Sequence, residues 1–109
     1  MRYILFFFIM INLHLFAVPS FIELNSTFEE TGENYNIPPI ILKTIAYKQS
    51  NWDIYQSEVG TFGIMGLYAK DNIASIETGA NLTNYSEFEA ISNYKKNIEM
   101  SAAILKEIE

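Results

Sequence analysis

Apolar residues fall along this chain in three rhythms, and each predicts a different element. From Tyr3 to Val18 they run almost unbroken, with Asn12 and His14 as polar interruptions, Arg2 before the run and Pro19-Ser20 after it. A positive start, an apolar stretch of this length and small residues at its end make the pattern of a secretory signal, and the stretch is short for a membrane span. Residues 1–20 are therefore expected to be a signal peptide cleaved near Ser20, with an uncleaved membrane anchor as the alternative.

The second rhythm is helical. Ser26-Thr27-Phe28-Glu29 has the spacing of a capping box and predicts a short helix over residues 27–34, weakened by Gly32. Pro38-Pro39 suits the first turn of the next helix, where a missing N–H has no partner to lose. Leu42, Ile45 and Ala46 then form its apolar face, which Gln49 continues seven residues beyond Leu42. A polar side chain so placed is either a satisfied amide in the core or part of a cleft. Residues 72–77 predict a short helix closed by Gly79 in a C-cap role. Ser86 and Glu89 repeat the capping-box spacing. A last helix is expected from Tyr94 or Asn97 onward, with Tyr94, Ile98, Ser101, Ala102, Leu105 and Ile108 on its apolar face.

Between these segments, residues 53–66 follow neither period. Gly60, Gly63 and Gly66 at steps of three predict a loop or small hairpin. No helix opening on a Lys-Ser/Thr pair follows, which argues against a phosphate loop. The fold class expected is all-α, as one small domain over residues 21–109.

Composition narrows the chemistry. Of the chain's 109 residues, 89 remain without the first 20, enough for one modest core. Arg2 is the one charged residue in that segment, so its removal takes the net charge from −6 to −7. Such a surface repels nucleic acid and anionic lipid, so no nucleic-acid partner is expected. Cysteine is absent and His14 is the sole histidine, which leaves the mature part with no thiol nucleophile, imidazole ligand or Ser-His-Asp triad. No acidic calcium loop is present either. No cofactor or metal is expected, and catalysis would fall to carboxylates, amides, hydroxyls or lysines.

Three motifs in order carry a resemblance. The first is Tyr35, Ile37, Pro38, Ile41, Leu42, Ile45, Ala46 and Ser50, with Trp52 beyond it; the second is Gly63-Ile64-Met65; the third is Asn97, Ile98, Ser101, Ala102 and Leu105. Together they resemble the lysozyme-like domain of lytic transglycosylases, enzymes that cut the glycan strands of peptidoglycan. The Met65-Gly66-Leu67 form is similar to transglycosylase-like domains that precede cell-wall amidase domains. The resemblance implies the N-terminal part of a lysozyme-like fold, a glycan-strand partner, and export to the periplasm or cell envelope. The family's motif has Glu-Ser where this chain has Gln49-Ser50, and Gln where it has Gly66. The family's later Tyr-Asn-x-Gly segment has no counterpart before Glu109. The domain is therefore expected to be incomplete at its C-terminus, with an amidase or a missing half acting in trans as candidate partners.

The resemblance implies that Gln49 occupies the place of the catalytic acid and that Ser50, Trp52, Gly63, Met65 and Gly66 bind substrate. In that family one carboxylic acid protonates the glycosidic oxygen, and the substrate's acetamido and 6-hydroxyl groups replace the second carboxylate, giving a 1,6-anhydro product. An amide has no such proton to give. The expected function is thus a glycan-binding domain with impaired or absent cleavage. Two alternatives stand beside it: an active muramidase or transglycosylase with a relocated acid, Glu58 before Asp53, and a non-enzymatic relic or secreted interaction protein.

Overall fold

The computed structural model describes residues 18–55 and 60–109; most of the expected signal segment and Glu58 lie outside them. The architecture is predominantly helical. Helix α1 spans Phe21–Tyr35, α2 Pro39–Ser50, α3 Ile76–Thr83, α4 Glu87–Ser92 and α5 Tyr94–Glu107. Between α2 and α3 a two-stranded antiparallel ladder pairs β1, Thr61–Phe62, with β2, Leu67–Tyr68.

The first helix starts earlier than its capping signal suggested. Ser20, not Ser26, is the N-cap: its hydroxyl accepts from the Glu23 N–H at 3.1 Å. Ser20 and Glu23 have the same S-x-x-E spacing, six residues upstream of Ser26 and Glu29. The upstream one wins because it lets Leu24, Thr27, Phe28 and Thr31 share one buried face.

Gly32, expected to weaken this helix, instead makes its corner possible. The Ile37 N–H bonds the Gly32 carbonyl at 2.8 Å, and a Cβ on Gly32 would stand 2.6 Å from the Ile37 carbonyl oxygen and 2.9 Å from Pro39 Cγ. No side chain fits between the end of α1 and the start of α2. The second helix then opens on Pro39 as the sequence predicts, with Leu42 and Ala46 fully buried and Ile45 packed at the edge of the core.

The helix expected over residues 72–77 with Gly79 as its cap is displaced. Residues 69–74 form bends, Ser75 caps α3, and Gly79 lies inside the helix, whose left-handed C-cap is Asn84. Gly79 serves packing: a Cβ there would stand 2.7 Å from Met100 Cβ on α5, so α3 and α5 cross with almost no space between them. The capping box at Ser86 and Glu89 is present in both halves.

Helix α5 is the central element, packed against α1, α3 and α4 and touching α2. Asn97, Ile98, Met100, Ser101, Ala102, Ala103 and Ile104 are all buried. The buried arc is wider than one amphipathic face, which is what a helix surrounded on several sides requires. At its end the expected face runs out: Leu105 is half-buried and Ile108 exposed.

Candidate functional site

The end of α2 and the turn joining the two strands meet in a small polar junction. Its parts follow from the sequence Gly63-Ile64-Met65-Gly66-Leu67. Ile64, Met65 and Leu67 are buried to within 2 %, so the turn is pulled into the core by its own side chains. Its backbone polar groups then need partners inside the protein. The Gly66 N–H bonds the Gly63 carbonyl at 3.0 Å, and both glycines adopt positive φ, 75° and 60°.

Two side chains from distant helices satisfy the rest. Ser50 Oγ lies 2.6 Å from the Ile64 carbonyl oxygen and 3.1 Å from that of Ala46. One hydroxyl proton thus ties the last turn of α2 to the β1–β2 turn. Asn97, fully buried on α5, accepts from the Met65 N–H at 2.8 Å and donates through Nδ2 to the Ala90 carbonyl at 2.9 Å and the Phe62 carbonyl at 3.3 Å. Its amide joins the turn, α4 and α5. No buried side-chain polar atom among the described residues lacks a partner.

Gln49 sits at the outer edge of this junction. It is exposed, so the alternative of a core amide does not hold. The last turn of α2 rotates it past the buried Ala46 and Ser50, toward the turn and solvent. A Cβ built on Gly66 would stand 2.7 Å from Gln49 Cβ and 3.6 Å from its Nε2. The side chain therefore lies across the bare backbone of Gly66, and a larger residue at 66 would displace it. Among the described residues Gln49 makes no hydrogen bond, which leaves its amide to water or ligand.

The other candidate residues divide. Gly66 lies beneath Gln49, whereas Gly63 packs against Asn97; both glycines are buried, as is Ser50, which holds the turn. The Met65 side chain points into the core. Trp52 follows the helix in a left-handed conformation, φ 63°, unusual for so bulky a residue. Its indole Nε1 donates to the Lys43 carbonyl at 2.9 Å, and its rings pack on Phe21 and Phe28 with centroids 5.5 Å away in each case. Trp52 thus closes the α1–α2 interface on the side of α2 toward α1. Asp53 is exposed and accepts from the Tyr55 N–H at 2.9 Å in its own turn.

Asn97 is a structural member of this junction that the sequence did not single out as a site residue. The signal was present: an amide between Lys96 and Ile98, within the apolar arc of the last helix and inside the third motif. A second polar cluster lies on α4 and α5. The Tyr85 hydroxyl donates to Glu99, and Lys96 pairs with Glu89 and covers the Tyr85 ring at 4.8 Å. The hydrogen bond to Glu99, aided by burial and nearby carboxylates, pushes the Tyr85 phenol up to about 12. Burial and Glu99 raise Tyr35 as well. The ammonium of Lys96, with the Ser86 N–H and hydroxyl, lowers Glu89 to about 2.

No protein-family model, curated protein or solved structure matches this chain. The described residues hold no cluster of three or more His, Asp or Glu suited to a metal ion.

Proposed function

We propose that the protein is an exported glycan-binding domain of lytic transglycosylase type, lysozyme-like in fold, that holds peptidoglycan strands beside Gln49 and cleaves them poorly or not at all. The observation that carries this reading is the junction of Ser50 with the Ile64 carbonyl, which fixes an exposed Gln49 over the buried backbone of Gly66. Residues from the three motifs, Ser50, Ile64, Met65 and Asn97, meet in the buried junction under Gln49, which supports this reading. Gln49 has nearly the shape of a glutamate and can donate to and accept from a sugar. It cannot protonate a leaving oxygen, and loss of a general acid costs about 10²–10⁴-fold in rate.

The test compares the wild-type chain, Gln49→Glu and Glu58→Gln on purified sacculi. Co-sedimentation reads binding, and 1,6-anhydro muropeptides read cleavage. The proposal expects wild type to bind without cleaving and Gln49→Glu to gain cleavage. Cleavage by wild type that Glu58→Gln abolishes would assign the acid to Glu58. Failure of all three proteins to bind would remove the glycan reading.

A further inference from the structure

The side of the molecule around Trp52 has a composition that the glycan reading does not use. Phe21, Ile22, Ile40 and Tyr47 are 68, 79, 66 and 63 % exposed. Phe21, Ile40 and Tyr47 are gathered around Trp52. Phe21 stacks on Trp52, and Trp52 shares a shallow hollow with Ile40, Tyr47 and Lys43. The face thus spans the first turn of α1 and the outer side of α2. Its one cation, Lys43, pairs with Glu29 at 2.7 Å, so the patch is close to neutral on a chain of net charge −6. Glu23, in the same turn as Phe21, projects from another side of α1. Contiguous exposed apolar surface of this kind marks an interaction site.

The chain itself indicates what covers it. The apolar run ending at Val18 stops three residues before Phe21, and Val18 is 67 % exposed. Three residues reach at most ~10 Å. Wherever that run enters a bilayer, Phe21 is held within that distance of the boundary. Indole, phenol and a lysine stem are the side chains that favour such a boundary. We propose that the face of Phe21, Ile40, Tyr47 and Trp52 rests on a phospholipid surface, held there by the retained run Tyr3–Val18. A zwitterionic bilayer suits it better than an anionic one, because the rest of the chain is acidic. The inference does not depend on glycan binding; its test contains no glycan.

Trp52 is the only tryptophan, so its emission reports on this face alone. The full chain would be reconstituted with phosphatidylcholine vesicles with and without bromine on the acyl chains. The expected result is a blue shift on binding and a loss of Trp52 emission in the brominated vesicles. Ile40→Glu with Tyr47→Glu changes two exposed positions, so circular dichroism should be unaltered. That variant should still float with vesicles through its apolar run, while its emission becomes the same in brominated and plain lipid. Unquenched Trp52 in vesicle-bound wild type would overturn the proposal, as would equal quenching of wild type and variant, or failure of the full chain to bind vesicles. Concentration-dependent self-association that shields Trp52 without lipid would assign the face to a second copy of the chain instead.

Discussion

Asn97 fills the space that a side chain on Gly63 would need: a Cβ at Gly63 would stand 2.2 Å from Asn97 Nδ2. The contact joins a turn to a helix 34 residues later and makes the two positions one unit. Gly63→Ala adds a methyl where there is no room and does so at φ 75°. It should destabilise by about 3 kcal/mol, combining overpacking with left-handed strain. Asn97→Ala strips partners from the buried Met65 N–H and Ala90 carbonyl and from the part-buried Phe62 carbonyl, and should cost about 2–4 kcal/mol. The double variant should lose less than the sum, because the atoms that clash with residue 63 are gone and only the strain remains. Urea denaturation of the four proteins measures the coupling; strict additivity would show that the two residues do not share space.

Ser50 makes a complementary test at the other side of the same turn. Ser50→Ala removes the donor to the Ile64 carbonyl, and that oxygen, on a fully buried residue, loses its side-chain partner. The expected loss is about 1–3 kcal/mol. Because the bond also fixes Gln49 relative to Gly66, Gln49→Glu should gain less glycan cleavage in the Ser50→Ala background. Unchanged cleavage there would mean that the floor of the site keeps its position without the serine.

How much of this was legible beforehand differs by residue, and the reasons are physical. Pro38-Pro39, Ser86 and Glu89 act through bonds to their own neighbours, so their spacing alone predicted α2 and the start of α4. The glycines misled. Gly32 reads as a helix weakener and Gly79 as a stop, yet both sit inside helices because another element touches their backbone. Such contacts cross from Gly32 to Pro39 and from Gly79 to Met100, and no local pattern encodes them. The two successive S-x-x-E spacings at Ser20 and Ser26 could be separated only by the core that Leu24 and Phe28 share. At the junction, the resemblance named Gln49, Ser50, Gly63 and Gly66, but the seat of Gln49 over Gly66, the burial of Ser50 and Met65 and the supporting role of Asn97 emerge only from packing.

Acid should loosen the α4–α5 contact through Glu89. Its carboxyl is lowered from 4.5 to about 2 by Lys96 and Ser86. A depressed folded value means that the stabilising contribution is fully present above the unfolded value. It is lost as pH falls from about 4.5 through about 2. Glu89→Gln should therefore flatten the acid limb of the stability curve and leave the neutral region comparatively unchanged. At the opposite end, the Tyr85 phenol is raised from 10.0 to about 12. Its contribution is present below about 10 and lost as pH rises through about 12, so Tyr85→Phe should alter only the alkaline limb. Thermal melts across pH check both signs, and a Glu89→Gln protein that still shows the wild-type acid limb would place its cause elsewhere.

Gly79 separates helix propensity from packing. In a helix interior, Gly→Ala ordinarily stabilises by about 0.5–1 kcal/mol. Here the new Cβ would meet Met100 Cβ at 2.7 Å, with Cγ at 3.0 Å. Overpacking of this kind costs about 1–3 kcal/mol, so Gly79→Ala should be net destabilising. Shortening the partner offers a sharper test. Met100→Ala removes Cγ and the sulfur but keeps the nearest atom, Cβ, so it should relieve the conflict only in part. If the clash sets the limit, Gly79→Ala should remain unfavourable even beside Ala at position 100. A stabilising effect in that background would show that the flexible end of Met100, rather than the approach of the α3 and α5 backbones, sets the spacing between the two helices.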